Sequence, residues 1–274
     1  MPSPTEIAVS QLSRLTGLPE CPAIIDVCLD EDFAGDPHLI PTAIRHSYAD
    51  VARLAPGLSG KRAVLVCQKG LKLSQGAAAI LRNHGVAAES LEGGMNGWRQ
   101  AGEPAVPAAK LPLRNSAGRT VWVTRQRPKI DRIACPWLIT RFVDRDAQFL
   151  FVAPAEVLGV AERFDATPFD VDGVFWSHRG EKCSFDIMVE EFGLETPALL
   201  RLAKIVRGAD TDRHDLAPQA AGLLAVSLGL SRMYRDDLAQ LNAGMTVYDA
   251  LYRWARDAHD EGHNWPIQKT AAKP

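Results

Sequence analysis

The sequence predicts an α/β protein: an N-terminal parallel sheet with helices on both faces, followed by a mostly helical domain that carries a small sheet. Three observations carry this reading. Short β-forming runs at 23–27, 64–67 and 86–91 alternate with helical stretches, the pattern of a parallel sheet covered on both sides. The stretch 102–118 holds Pro104, Pro107 and Pro112 and lacks hydrophobic periodicity, as an extended linker does. From Ser184 onward the apolar spacing is helical. At 274 residues the chain is long enough for two cores. The expected domains are 5–105 and 119–265, joined by a linker over 106–118.

In order, 5–17 reads as a short amphipathic helix with Ile7, Leu12 and Leu15 inward. Asp30 to Pro41 is acidic and turn-rich, suited to a loop or lid. A helix is expected over 47–54, broken by Pro56-Gly57-Leu58-Ser59-Gly60. Trp98 is placed to pack a closing helix onto the sheet. In the second half strands are expected at 120–124, 149–152 and 174–176. Helical spacing covers 130–143, with Pro136 as a kink or in the first turn. Further helices are expected at 155–163, 184–192, 197–208, 218–231, 235–242 and 246–259.

Hydrophobic content of 46% and charged content of 23% are those of a soluble globular protein. A net charge of −2 and the lack of a helix-turn-helix pattern count against nucleic acid as a partner. Five cysteines without a close CxxC pair fit free thiols in a reducing, cytoplasmic compartment. Residues 1–17 lack the features of a signal peptide. The most apolar run, 216–230, is interrupted and too short to span a bilayer, so no membrane partner is expected.

The stretch Val64-Leu65-Val66-Cys67-Gln68-Lys69-Gly70-Leu71-Lys72-Leu73-Ser74-Gln75-Gly76 carries the sharpest chemical signal. A β-run ends in a cysteine, a loop turns at a glycine, and Ser74 stands as the expected N-cap of a helix over 75–84. Loop N–H groups and the positive end of a helix dipole favour a thiolate there and hold an anion in front of it.

With Ile25-Asp26-Val27, Ile40-Pro41-Thr42-Ala43-Ile44 and Leu91-Glu92-Gly93-Gly94-Met95-Asn96-Gly97-Trp98, this stretch resembles the rhodanese-like sulfurtransferases over about residues 5–105. The resemblance implies a rhodanese-like sheet and Cys67 as a nucleophile that carries a persulfide. It also implies an anion-binding cradle of Gln68, Lys69, Gly70, Leu71, Lys72 and Leu73, a small sulfur donor or oxyanion, and a thiol acceptor. Cys28 stands where that family has an arginine after Asp26-Val27. Setting Ser74-Gln75-Gly76-Ala77-Ala78 on the family's helix start leaves seven loop residues, Cys67 to Leu73, where six are usual. A wider ring suits larger oxyanions, yet Leu73 occupies the position where related phosphatases and arsenate reductases have an arginine. Lys69 and Lys72 supply charge without a bidentate fork, so sulfur transfer or oxyanion binding ranks above phosphoester hydrolysis.

In the second half, 110–145 holds nine Lys/Arg against two Asp. Arg125, Arg127 and Arg132 are its anion-binding candidates, although charge runs are often only solvated. Four segments resemble the C-terminal domain of the ChrB-type chromate-resistance proteins over about 119–258. They are Pro128-Lys129-Ile130-Asp131-Arg132-Ile133-Ala134-Cys135-Pro136-Trp137-Leu138-Ile139, Ser177-His178-Arg179-Gly180-Glu181-Lys182-Cys183-Ser184-Phe185-Asp186, Ile205-Val206-Arg207-Gly208-Ala209-Asp210, and Tyr248-Asp249-Ala250-Leu251-Tyr252. That resemblance implies a role in chromate resistance. For a transition metal (zinc, iron or manganese) the candidates are His178, Asp210, Asp131, Cys183 and Asp186, whose ligand types suit such ions. Glu190, Asp212 and His214 stand near them in sequence, and His259 and His263 flank Glu261 at helical spacing. The functional expectation is a sulfurtransferase acting through Cys67. Two alternatives are an oxyanion-responsive regulator and a metal-dependent redox enzyme.

Overall fold

The computed structural model describes residues 5–262. The first half runs β1 (Glu6–Ile7), α1 (Val9–Leu15), β2 (Ala23–Asp26), α2 (Asp30–Gly35), β3 (His38–Leu39), β4 (Ile44–Arg45), β5 (Arg62–Val66), α3 (Lys72–Asn83), β6 (Ala87–Leu91), α4 (Gly94–Gln100) and β7 (Val106–Pro107). A five-stranded sheet has the order β1-β6-β5-β2-β4, and every pair in it is parallel. Side-chain alternation gives the sheet two cores. Ile24, Val64 and Val66 join Leu12, Leu91 and Trp98 on one face, while Ile25, Ala63, Leu65 and Cys67 join Val51, Ala77 and Leu81 on the other. Burial of both faces is the reason these strands read as continuous apolar runs. Trp98 is wholly buried and donates its indole N–H to Pro104 O at 2.8 Å.

Several local expectations are corrected. The N-terminal helix is preceded by a short edge strand and covers only Val9–Leu15. The helix expected over 47–54 is a 3-10 stretch, Tyr48–Leu58, that runs through Pro56. Packing of Val51, Ala55 and Leu58 holds it to the sheet beyond the proline. Helix α3 starts at Lys72 with Leu71 as its cap, three residues before the expected start. Inside the proline-rich stretch, Val106–Pro107 pairs antiparallel with β3.

The second half runs β8 (Val121–Arg125), α5 (Asp131–Leu138), β9 (Gln148–Val152), α6 (Val157–Arg163), β10 (Thr167–Pro168), α7 (Ser184–Glu191), α8 (Pro197–Asp210), α9 (Ala220–Met233) and α10 (Asp237–Arg253). Its small sheet is parallel in the order β10-β8-β9. The strand expected at 174–176 reduces to one bridge, Phe169 to Trp176, and Thr167–Pro168 takes the edge instead. Pro168, with no N–H to donate, suits such an edge. Helix α5 continues past Pro136 into a wider π turn, Ile139–Val143. Around α5 lies an aromatic core in which Trp137 meets Phe142, Phe185, Tyr248 and Tyr252 at centroid distances of 5.5–6.3 Å. Trp176 stacks on Phe192 at 4.6 Å.

The two helices expected at 235–242 and 246–259 are one, α10, extended by a π turn. Gly244 lies in the gap between the two expected helices, and a Cβ there would lie 2.6 Å from Ile133 Cγ2, so the missing side chain lets α10 close onto α5. Gly244→Ala should therefore destabilise the protein by about 1–3 kcal/mol through overpacking. Urea unfolding followed by circular dichroism measures it, and an unchanged midpoint would mean that Ile133 simply rotates away.

The two halves touch directly. Thr42 N donates to Phe142 O at 3.0 Å, Arg256 Nη1 to Arg14 O at 3.0 Å, and Arg145 to Cys21 O. Leu18 and Val106 join the core of the second half. Among the described residues no helix is long and apolar enough to cross a membrane, and all five cysteines are free.

Candidate functional site

Cys67 follows the last residue of β5, at the carboxyl end of the sheet's central strand. Its Sγ lies 3.2 Å from Ser74 Oγ, and Ser74 Oγ donates to Leu71 O at 3.2 Å. With α3 beginning at Lys72, Ser74 lies in the first helical turn and does not cap the helix. Helix α3 thus begins inside the span expected as loop, with Lys72 and Leu73 in its first turn. Cys67, Gln68, Lys69, Leu71, Lys72 and Leu73 line a cavity of about 480 Å3, closed on its other side by Leu29 and Asp32 at the start of α2. The acidic stretch thus stands beside the thiol.

Two glycines fix the loop. Gly70 and Gly94 both have positive φ, +68° and +58°, and their backbones come so close that a Cβ on Gly94 would lie 2.1 Å from Cys67 O. The first turn of α4 holds the loop from below, as Met95 N donates to Cys67 O and Asn96 N to Gln68 O, both at 3.0 Å. The motif Leu91-Glu92-Gly93-Gly94-Met95-Asn96 therefore positions the cysteine loop.

Sequence reasoning missed Arg45. Arg45 on β4 lies 3.5 Å from the buried Asp26, pairs with Asp30, and stacks over Phe33 at 3.9 Å. Burial raises the Asp26 pKa, against its hydrogen bond from Cys28 N and the Arg45 charge. The Cys28 thiol is also pushed up, by burial first and then by Asp26, which disfavours its thiolate.

A second cluster forms in the other half. His178 Nε2 lies 3.4 Å from Asp131 Oδ2, 3.4 Å from Asp170 Oδ1 and 3.2 Å from Asp210 Oδ2. Asp131 is the first residue of α5, Asp210 the last of α8, and Asp170 lies in the turn after β10. Ile130, just before Asp131, holds a φ of +38°, a strained value for a β-branched residue. Ser227 Oγ, accepting from Ile130 N at 3.2 Å, and Tyr248, donating to Ile130 O at 3.0 Å, keep it there. The three carboxylates, Asp131 first, push the His178 pKa up to about 12. Burial raises that of Asp131. Burial would raise Asp170 too, but hydrogen bonds from His178 and Ser184 and the charge of Arg125 hold it low.

The predicted residues divide. His178, Asp131 and Asp210 converge, and Asp170, which sequence reasoning missed, joins them; its only signal was the turn-like Asp170-Val171-Asp172-Gly173. Cys183 is wholly buried in the apolar core, where burial raises its thiol pKa, and it serves as the residue before α7. Asp186 accepts from Cys183 N at 3.0 Å and faces Arg207 at 3.6 Å, so both stand apart in structural roles. Arg125 and Arg132 line the cluster's cavity of about 520 Å3 and pair with Asp170 at 3.0 and 3.4 Å. Arg127 does not join them: its guanidinium is spent on the carbonyls of Ser231 in the last turn of α9 and of Tyr234 and Arg235 between α9 and α10. Glu190 pairs with Lys182, Asp212 with His214, and His259 with Asp260. His263 lies outside the described residues.

The turn that supplies Asp131, the His178 segment and the end of α8 all fall within one matched region. Residues 122–255 match the family described as ChrB, C-terminal domain. Protein ChrB of Cupriavidus metallidurans is 37% identical over 155 residues, 55% of this chain and 46% of that protein. The chain thus spans about half the length of the ChrB relative it matches. Solved structures similar to this chain include a rhodanese-related protein of Thermoplasma volcanium, at 20% identity over 37% of this chain and 96% of that one, TM-score 0.32. Another is a thiosulfate sulfurtransferase of Pseudomonas aeruginosa, at 23% identity over 40% and 21% of the two chains, TM-score 0.33. The His178 cluster, unlike Cys67, lies within the ChrB-matched region.

Proposed function

We propose that the protein is a sulfurtransferase whose nucleophile is Cys67, linked to chromate resistance through its ChrB-like second half. The observation that supports this is the placing of Cys67 at the end of the central strand, in a cavity it shares with Lys69 and Lys72 and on a loop locked by Gly70 and Gly94. The Cys67 thiolate attacks the outer sulfur of thiosulfate. An S–S bond forms to Cys67 as the donor's S–S bond breaks, and sulfite leaves with the bonding pair. Lys69 and Lys72 offset the charge of the dianionic donor. A thiolate or cyanide acceptor then takes the terminal sulfur and restores the Cys67 thiolate. In this reading 5–105 is the sulfur-transfer domain and 119–265 the ChrB-like domain.

Cys67→Ser should abolish thiosulfate:cyanide sulfur transfer and leave the unfolding midpoint near that of the parent, since Ser differs from Cys only at the attacking atom. Thiocyanate formation and urea unfolding measure the two effects. Full activity in a folded Cys67→Ser protein would remove Cys67 from the chemistry.

A further inference from the structure

We propose that Asp131, Asp170, His178 and Asp210 form a binding site for one divalent first-row metal ion of the manganese(II) or iron(II) type, whose open side faces the cavity rimmed by Arg125 and Arg132. This goes beyond the Cys67 reading and does not depend on it.

A ligand atom from each of Asp131, Asp170 and His178 lies within 4.8 Å of the others, and Asp210 approaches the same imidazole nitrogen at 3.2 Å. Two atoms bound to one ion at about 2.0–2.2 Å stand about 3.0–3.4 Å apart. The Nε2–oxygen distances of 3.2–3.4 Å are of that size. One imidazole nitrogen carries at most one proton, which can point at one of the three oxygens; a cation can be shared by all of them.

The second observation is the state of Asp131. It is fully buried, and its Oδ2 accepts the backbone N–H of Ser184 at 2.6 Å and of Phe185 at 3.4 Å, at the start of α7. Its Oδ1 has no hydrogen-bond partner. A buried, unpartnered carboxylate oxygen is costly, and an ion gripped by both oxygens of Asp131 removes that cost. Asp170 is held as a metal's ligand is, by Ser184 Oγ at 2.8 Å and by Arg125 at 3.0 Å. Three carboxylates to one imidazole suit a harder ion than a thiolate-rich zinc centre would.

The test is a Mn2+ titration of the full-length chain after treatment with a chelator, reading the free-ion paramagnetic resonance signal. One equivalent should bind to the parent and to Cys67→Ser alike. Asp210→Asn and His178→Gln alter side chains at the cavity mouth and should fold as the parent does, which thermal unfolding checks; each should weaken binding at least tenfold. Asp170→Asn should do the same. No bound equivalent of Mn2+, with Fe2+ also failing, would overturn the site. So would affinities within twofold of the parent in the folded variants, or loss of the ion in Cys67→Ser, which would put it at the thiol.

Discussion

Trp137→Ala should lower the stability of the protein by about 3–5 kcal/mol, the range for emptying the place of a buried tryptophan. Trp137 is wholly buried in the last turn of α5, within 5.5–6.3 Å of four other aromatic rings. Those rings come from the π turn after α5, from α7 and from α10, so one side chain ties three segments together. Its indole N–H donates to Asp249 Oδ1 at 2.8 Å, and Arg141 grips the same carboxylate at 2.8 Å through both oxygens. Alanine removes the packing and one hydrogen bond but leaves Asp249 paired, so the loss is chiefly that of a cavity. Urea unfolding followed by circular dichroism gives the number. A loss below about 2 kcal/mol would mean that the neighbouring rings collapse into the void. Because α5 begins at Asp131, the same variant should also weaken Mn2+ binding at the His178 cluster.

The parts of the fold legible in the sequence are those set by local periodicity. The buried strands of the large sheet read as apolar runs because both of its faces are covered, and α8 shows its helical stripe over nearly its whole length. What stayed hidden depends on contacts distant in sequence. The gap expected between 242 and 246 closes where Gly244 packs against Ile133, and α3 starts at Lys72 while Ser74 faces Cys67 Sγ and does not cap the helix. The candidate sites follow the same rule. Cys67 announced itself because strand, thiol, glycine and helix are contiguous. Asp131, His178 and Asp210 were legible as polar residues at element ends, yet nothing local joins them. Asp170 sits in an ordinary-looking turn, and Arg45 meets Asp26 only across the β2–β4 pair, nineteen residues apart in sequence. Arg127 shows the converse: a basic residue in a basic run whose work is to hold a helix connection.

Gly94→Ala should cripple sulfur transfer at Cys67 while leaving the second half folded. The residue holds a φ of +58°, where a side chain costs on the order of 1 kcal/mol by itself. The steric term is larger. An added Cβ would lie 2.1 Å from Cys67 O, 2.4 Å from Gly70 N and 3.0 Å from Gln68 C. All three are backbone atoms, so no rotamer change relieves the clash, and the cysteine loop has to shift away from α4. That shift breaks the bonds from Met95 N to Cys67 O and from Asn96 N to Gln68 O, which hold the loop in place. Overpacking and strain together should cost about 2–5 kcal/mol. A displacement of about 1 Å at the nucleophile is worth on the order of a hundredfold in rate. Gly76→Ala is the matched control: Gly76 lies inside α3 with open space around its Cβ position, so alanine there should stabilise the helix by about 0.5–1 kcal/mol. Thiocyanate formation and urea unfolding of the two variants provide the comparison. Equal activities would mean that the close approach of Gly94 to the loop does not position Cys67.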